Sequence, residues 1–467
     1  MRKPHKKLSK SFQSMNVHKL ITLFFVFSCL IPASVHAWSE HPLLARHALD
    51  GLPFWGSADS VEVKSLKQFL VETEDELAVF LVEHEKWAQS NLRDYFPRPH
   101  ELEFLPGLEE DSIVERFFKA IRINPETRAA LYLYLAPWQQ PGNRHFASFN
   151  DITALEIYTE AGNEKYIWIN EEDLVHPLDV ITSANNEPDY GIDIGLFEDN
   201  STWYGAIYGF GKQPFGNPNL VYSSQAPFHM SFYHEAGILY RFAPALNHTF
   251  LEMRVNQFRD LAVFAFENDQ PYWGWRFLGW SMHYATDATM PYHSKPLPGY
   301  SVLRLLWINL KATLGFPNAL RNAIQLVSNK HTVIEAYQKQ ELIRASWNQK
   351  TDHPFIIALQ EDVKPQTYSD SFIRDVVSKQ AVKDARLFDR TIKKYFPRHM
   401  VKDPSVEVID LPELNNVAEI IQSEGDEVRE AVNNVISRRF VDYTMVIRSL
   451  LFSVIDDKSH SSDDISG

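Results

Sequence analysis

The feature that most constrains this chain is its use of cysteine. The only cysteine is Cys29, and it lies in a segment that reads as removable. Met1 to Lys19 carries Arg2, Lys3, Lys6, Lys7, Lys10 and Lys19 and no acid. The apolar run LITLFFVFSCLI follows, then PASVHA with Val35 and Ala37 at small-residue positions. That order predicts a secretory signal peptide over residues 1–37, with an apolar run too short for a comfortable membrane span. Phe27 and Ser28 fit a lipidation box poorly. Cleavage after Ala37 leaves 430 residues starting at Trp38, exported to the periplasm or the exterior and free of cysteine. Such a chain must be stabilised by its core, by metal, or by both. Thiol catalysis and Cys-based zinc clusters are excluded.

Of the 467 residues, 45% are apolar and 13% aromatic, which is ample for a core and excludes a disordered chain. The formal charge of -14 becomes -20 when the six basic residues of the leader are lost. That argues against broad electrostatic binding to nucleic acid or anionic lipid. No second long apolar run follows the leader, so the mature chain is expected to be soluble or peripheral.

Apolar residues recur at helical spacing at Leu251, Val255, Phe258, Ala262 and Ala265, at Phe277, Trp280, Tyr284 and Asp287, and at Val428, Val432, Val435 and Ile436. The pattern predicts a mainly α fold, a multi-helix domain over 38–455. Residues of about 100–188 are rich in Pro, Gly, Asn and Asp and contain β-like pieces such as KYIWI. They read as a long irregular insertion. Residues 456–467 read as a solvated, disordered tail.

The chain lacks a G-x-S-x-G elbow, an H-E-x-x-H motif and a P-loop. What remains is a constellation of histidines and carboxylates. In GWSMHYATDATMPYHS, His283 and Asp287 are four apart and share a helix face. Pro291 is expected to end that helix, with His293 in the exit turn. Imidazole and carboxylate suit an open zinc site. A lone His-x-x-x-Asp pair is more often an ion pair or cap, and the neighbouring Tyr272, Trp273, Trp275, Phe277 and Trp280 are most simply core. A second pair four apart is His331 and Glu335. The mature N-terminus is a third element, because the amine and carbonyl of Trp38 can chelate a metal in a five-membered ring.

Trp38 after the cleavage site, H-x-x-x-D-x-x-x-P-x-H at His283, Asp287, Pro291 and His293, and H-x-x-x-E at His331 and Glu335 together resemble the zinc-dependent phospholipase C family. That family shares a superfamily with fungal single-strand nucleases. The resemblance implies a mainly helical domain with three zinc ions. The family's upstream aspartate is matched by Asp189, with Asp193 its competitor. The family's histidine is matched by His229, with His234 as alternative. His41 is favoured over His47 as the histidine following Trp38. The implied ligand sets are Asp189, His229, His283 and Asp287; Trp38, His41 and a bridging Asp287; and His293, His331 and Glu335.

By the same resemblance, Asp189 is the general base, and Tyr190 helps hold a choline headgroup, which cation–π attraction favours. Zinc-activated water would cleave the glycerol-side phosphodiester of phosphatidylcholine-like lipids. The expected partner is a phospholipid or membrane surface, with no stable nucleic-acid partner and a monomeric chain. The alternative is a single-strand nuclease or 3′-nucleotidase on the same scaffold.

Overall fold

The segment that carries His283 is dominated by large aromatic and apolar side chains, and a helix of that kind is stable only when enclosed. In the computed structural model, which describes residues 38–155, 164–216 and 221–463, it is enclosed. The elements that build the site run in chain order as α1 (His41–Leu49), α2 (Pro177–Ala184), α3 (Ala226–His229), α4 (Gly237–Phe242) and α5 (Leu251–Glu267). They continue as α6 (Pro271–Asp287), α7 (Pro291–Ser294), α8 (Val302–Thr313), α9 (Asn318–Trp347) and α10 (Asp426–Asp463). Helices hold 61% of the residues and strands 3%, so the fold is mainly α.

α5 and α6 are joined by residues 268–270 and pack along their lengths as the central pair. Every residue of α6 from Tyr272 to Asp287 is buried. α10 covers this pair and also packs on α1. α2 packs against α6 so closely that a Cβ on Gly279 would stand 2.7 Å from both Ala184 Cβ and Ile181 O. Glycine at 279 is what lets the two backbones approach.

The strands are short: β1 (Val61–Glu62), β2 (Tyr132–Leu135), β3 (Phe146–Ala147), β4 (Lys165–Trp168) and β5 (Leu174–Val175). β1 pairs with β5, and β2, β4 and β3 form an antiparallel sheet in that order. β4 is the expected KYIWI piece, and Tyr132 sits opposite Trp168.

Three expectations change. The insertion does not run to 188, because α2 belongs to the helical body: seven of its eight residues are buried against α1 and α6. Pro291 does not end α6. That helix stops at Asp287, a turn closes with Met290 N–H donating to Asp287 O, and Pro291 opens α7, where its fixed φ suits a first turn. Finally, α10 runs on to Asp463 through the start of the expected tail, since extending an existing helix needs no new nucleus. Residues 464–467 and the expected signal peptide lie outside the described residues. Among the described residues no helix is long and apolar enough to cross a membrane.

Candidate metal centre

Five helices and one turn bring the expected ligands to one place. His41 opens α1, Asp189 sits in the 3-10 turn Glu187–Tyr190 just past α2, and His229 closes α3. His283 and Asp287 share one face of α6, His293 sits on α7, and His331 and Glu335 lie one turn apart on α9. All are buried, and His41, His229, His283, Asp287 and His293 are 0% exposed.

His229 Nδ1 is 2.7 Å from Asp287 Oδ2, and His41 Nε2 is 3.4 Å from Asp287 Oδ1. His283 Nε2 lies 3.5 Å from Asp189 Oδ1, 3.7 Å from Asp287 Oδ2 and 3.3 Å from His229 Nδ1. Two groups could each hold a metal ion: His41, His283 and Asp287, and Asp189, His229 and His283, with ligand atoms within 4.8 Å of one another. The residue common to the two groups is His283, whose Nε2 stands between two carboxylates, and not the expected bridge Asp287, which belongs to the first group alone. His293, His331 and Glu335 belong to neither group. The rings of His293 and His331 are 5.1 Å apart, and Ser39 Oγ donates to Glu335 Oε1 at 3.0 Å.

The imidazoles are oriented for ligation. His283 Nδ1 is 2.8 Å from the carbonyl of Asn185, and His293 Nδ1 is 2.8 Å from that of His229. A carbonyl only accepts, so each Nδ1 carries the proton and each Nε2 keeps a lone pair. His293 Nε2 and Asp287 Oδ1 are buried and make no hydrogen bond. Leaving such atoms without one costs about 1–3 kcal/mol each, and a cation removes that cost. The donor set thus fits a metal ion that takes imidazole and carboxylate ligands.

Burial pushes the Asp287 carboxyl well above the usual carboxylate range, and the charges of Asp189 and Glu335 push it the same way. Burial, then His331 and His229, drive His293 well below its ordinary value. The cluster is short of positive charge and resists supplying it by protonating His293.

The competing residues have other work. His47 is 2.8 Å from Ser346 Oγ and packs on Trp138. His234 Nε2 meets the Arg374 carbonyl at 2.6 Å. Asp193 accepts from Arg254 at 2.9 Å and 2.7 Å and from Tyr284 OH, and faces His229 Nε2 at 3.7 Å. It supports a ligand, while Asp189 faces the cluster. Trp38 is wholly buried, its Nε1 donating to Thr289 Oγ1 at 2.9 Å and its ring edge-on to Phe440. The next residue, Ser39, is clamped by Gln338 through both backbone groups at 3.1 Å. Tyr190 is 6% exposed and packed against Phe149; its hydroxyl contacts Tyr166 OH at 2.7 Å and accepts from Asn186 at 2.9 Å. It presents no open aromatic wall.

Sequence reasoning missed Asn185, Asp193 as a support, Arg254, Tyr284, Ser39 and Gln338. None stands at a fixed spacing from the motif, so no linear signal marks them.

Compared with known proteins, the chain matches no family model, no curated protein and no solved structure.

Proposed function

We propose that the mature chain is an exported zinc-dependent phospholipase C that cleaves the glycerol-side phosphodiester of phosphatidylcholine-like lipids. The convergence of His41, Asp189, His229, His283 and Asp287 into one buried cluster carries this reading. Residues separated by nearly 250 positions meet with their ligating atoms together, which chance ion pairing does not explain. Three zinc ions are the proposed complement. The third would be held by His293, His331 and Glu335, and the second would draw on the backbone of Trp38.

When bound, zinc acidifies water and polarises phosphoryl oxygens. The protein's own contribution is orientation and proton handling. Asn185 and the His229 carbonyl fix the tautomers of His283 and His293. Arg254 and Tyr284 hold Asp193 behind His229. Asp189 takes the proton of the attacking water at a carboxylate oxygen. Glu335 rather than Asp in the H-x-x-x-E pair, and a mature chain without cysteine, favour the lipase over the nuclease.

The test is hydrolysis of phosphatidylcholine, a chromogenic phosphocholine ester and single-stranded DNA, with and without chelator. The proposal expects chelator-sensitive turnover of the first two. Activity on DNA alone would replace it with a single-strand nuclease, and full activity after thorough chelation would remove the metal.

A further inference from the structure

One stretch of this acidic chain contains no acid. Between Asp287 and Glu335 there is no Asp or Glu, although the chain has 60. That stretch holds α8, which joins the candidate ligand His293 on α7 to His331 on α9 and packs against α9 and α4. α8 is apolar on two faces. Leu305, Ile308 and Ala312 are buried and seat the helix. The other face turns Leu303, Trp307, Leu310 and Leu314 outward at spacings of four, three and four, and Phe316 follows. Leu303 is 80% exposed, Phe316 69% and Trp307 58%. On the adjoining α4, Ile238 and Phe242 are also exposed.

Two cations of α8 itself lie over aromatic rings of this region. Lys311 Nζ lies over the Trp307 ring at 5.2 Å and Arg304 over Tyr300 at 4.3 Å. Among the described residues Arg241, Arg304, Lys311 and Arg321 form no ion pair with a carboxylate.

We infer that α8 with α4 is a docking surface for a bilayer containing anionic lipid. Two observations select this occupant over a protein. The exposed side chains are a Trp, a Phe and several Leu on a helix whose polar residues include cations and no anions, which matches an interfacial helix lying in the headgroup region. The charge is also segregated: a body of strongly negative charge carries a local cationic, apolar patch, so an anionic surface repels the rest of the molecule and attracts this one. Net charge argues against broad binding to such a surface but not against oriented docking. The inference deepens the phospholipase reading by placing the lipid surface beside the chain segment that joins two candidate ligands.

The test uses the mature full chain and flotation with vesicles of phosphatidylcholine alone or mixed with phosphatidylglycerol. Wild type should favour the mixed vesicles and lose that preference at high salt. The double variants Leu303→Ser with Trp307→Ser, and Arg304→Glu with Lys311→Glu, should each lower partition on the order of tenfold or more. Their kcat/KM on a soluble phosphocholine ester and their thermal midpoints should stay at wild-type values, since these side chains lie on the surface. Equal partition of wild type to both vesicles, or variants that partition like wild type, would overturn the inference. So would a wild-type dimer that ignores vesicles and dissociates in the Leu303/Trp307 variant, which assigns the face to self-association. Vesicle binding without hydrolysis of any ester would support the docking surface while overturning the phospholipase reading.

Discussion

His283 donates its Nδ1 proton to the carbonyl of Asn185 across 2.8 Å, and this one bond decides which way the centre of the site faces. It turns Nε2 toward Asp189 and Asp287, at 3.5 Å and 3.7 Å. Asn185 is itself held, its side chain donating to Gly279 O and accepting from Tyr443 OH. The tautomer is thus set by packing between α2, α6 and α10. His283→Ala should abolish tight metal binding and lower hydrolysis by more than the roughly 10- to 100-fold that an outer-shell change costs. Elemental analysis of the purified variant and turnover of the soluble ester check both.

Asp193→Asn should act through His229 and Arg254. Loss of the carboxylate leaves the buried Arg254 guanidinium without its counter-charge, at about 3–5 kcal/mol. It also loosens the support behind His229, so metal affinity should fall about 10- to 100-fold. Urea unfolding of the metal-free protein isolates the first effect and metal titration the second. A variant with unchanged values in both would remove Asp193 from its supporting role.

Gly279→Ala tests the α2–α6 contact. The added methyl would meet Ala184 and Ile181 O at 2.7 Å, so the helices must part. The expected cost is about 1–3 kcal/mol, read as a lowered thermal midpoint. Because α2 carries Asn185 at its end, metal affinity should fall with it.

Acid should weaken the fold through His47. Burial, with Arg46 adding to it, lowers its pKa from 6.5 to about 4. The unfolded chain therefore binds the proton first, and stability falls as pH drops from about 6.5 to about 4, with no further loss from this group below that. The span corresponds to at most ~3 kcal/mol. Thermal midpoints across this range should slope less in His47→Gln than in wild type.

An extra residue before Trp38 should cost one zinc and most activity. Trp38 is wholly buried and pinned by Thr289 and Phe440, and Ser39 after it touches Glu335, so an N-terminus created at Trp38 would lie beside Glu335. Metal stoichiometry of processed and extended forms gives the answer. Equal stoichiometry would show that the Trp38 backbone is not a ligand.

The helices were legible because burial imposes a period. Leu251 to Ala265 and Phe277 to Asp287 repeat at 3.6 residues, and the same period put His283 and Asp287 on one face. The spacing of His331 and Glu335 was equally local. The end of the insertion was not legible, because α2 is a short helix whose burial depends on Gly279, nearly a hundred residues away. Pro291 was misplaced for a similar reason: its chemistry fits the residue after one helix and the first of the next, and only the turn at 288–290 separates these. Sequence could not choose between Asp189 and Asp193, whose side chains are chemically identical. The choice rests on Arg254, which occupies one of them.

The sequence by itself determined a mainly helical chain, the stretch without acids around α8, and a set of residue types capable of holding a cation, because periodicity, charge and donor chemistry are properties of the chain. Tertiary structure alone decided that these residues meet, that His283 is shared between two groups, and which histidine nitrogen faces inward. Those outcomes depend on partners distant in the chain, such as Asn185 for His283 and Arg254 for Asp193, and packing brings such partners together without leaving a mark at any fixed spacing.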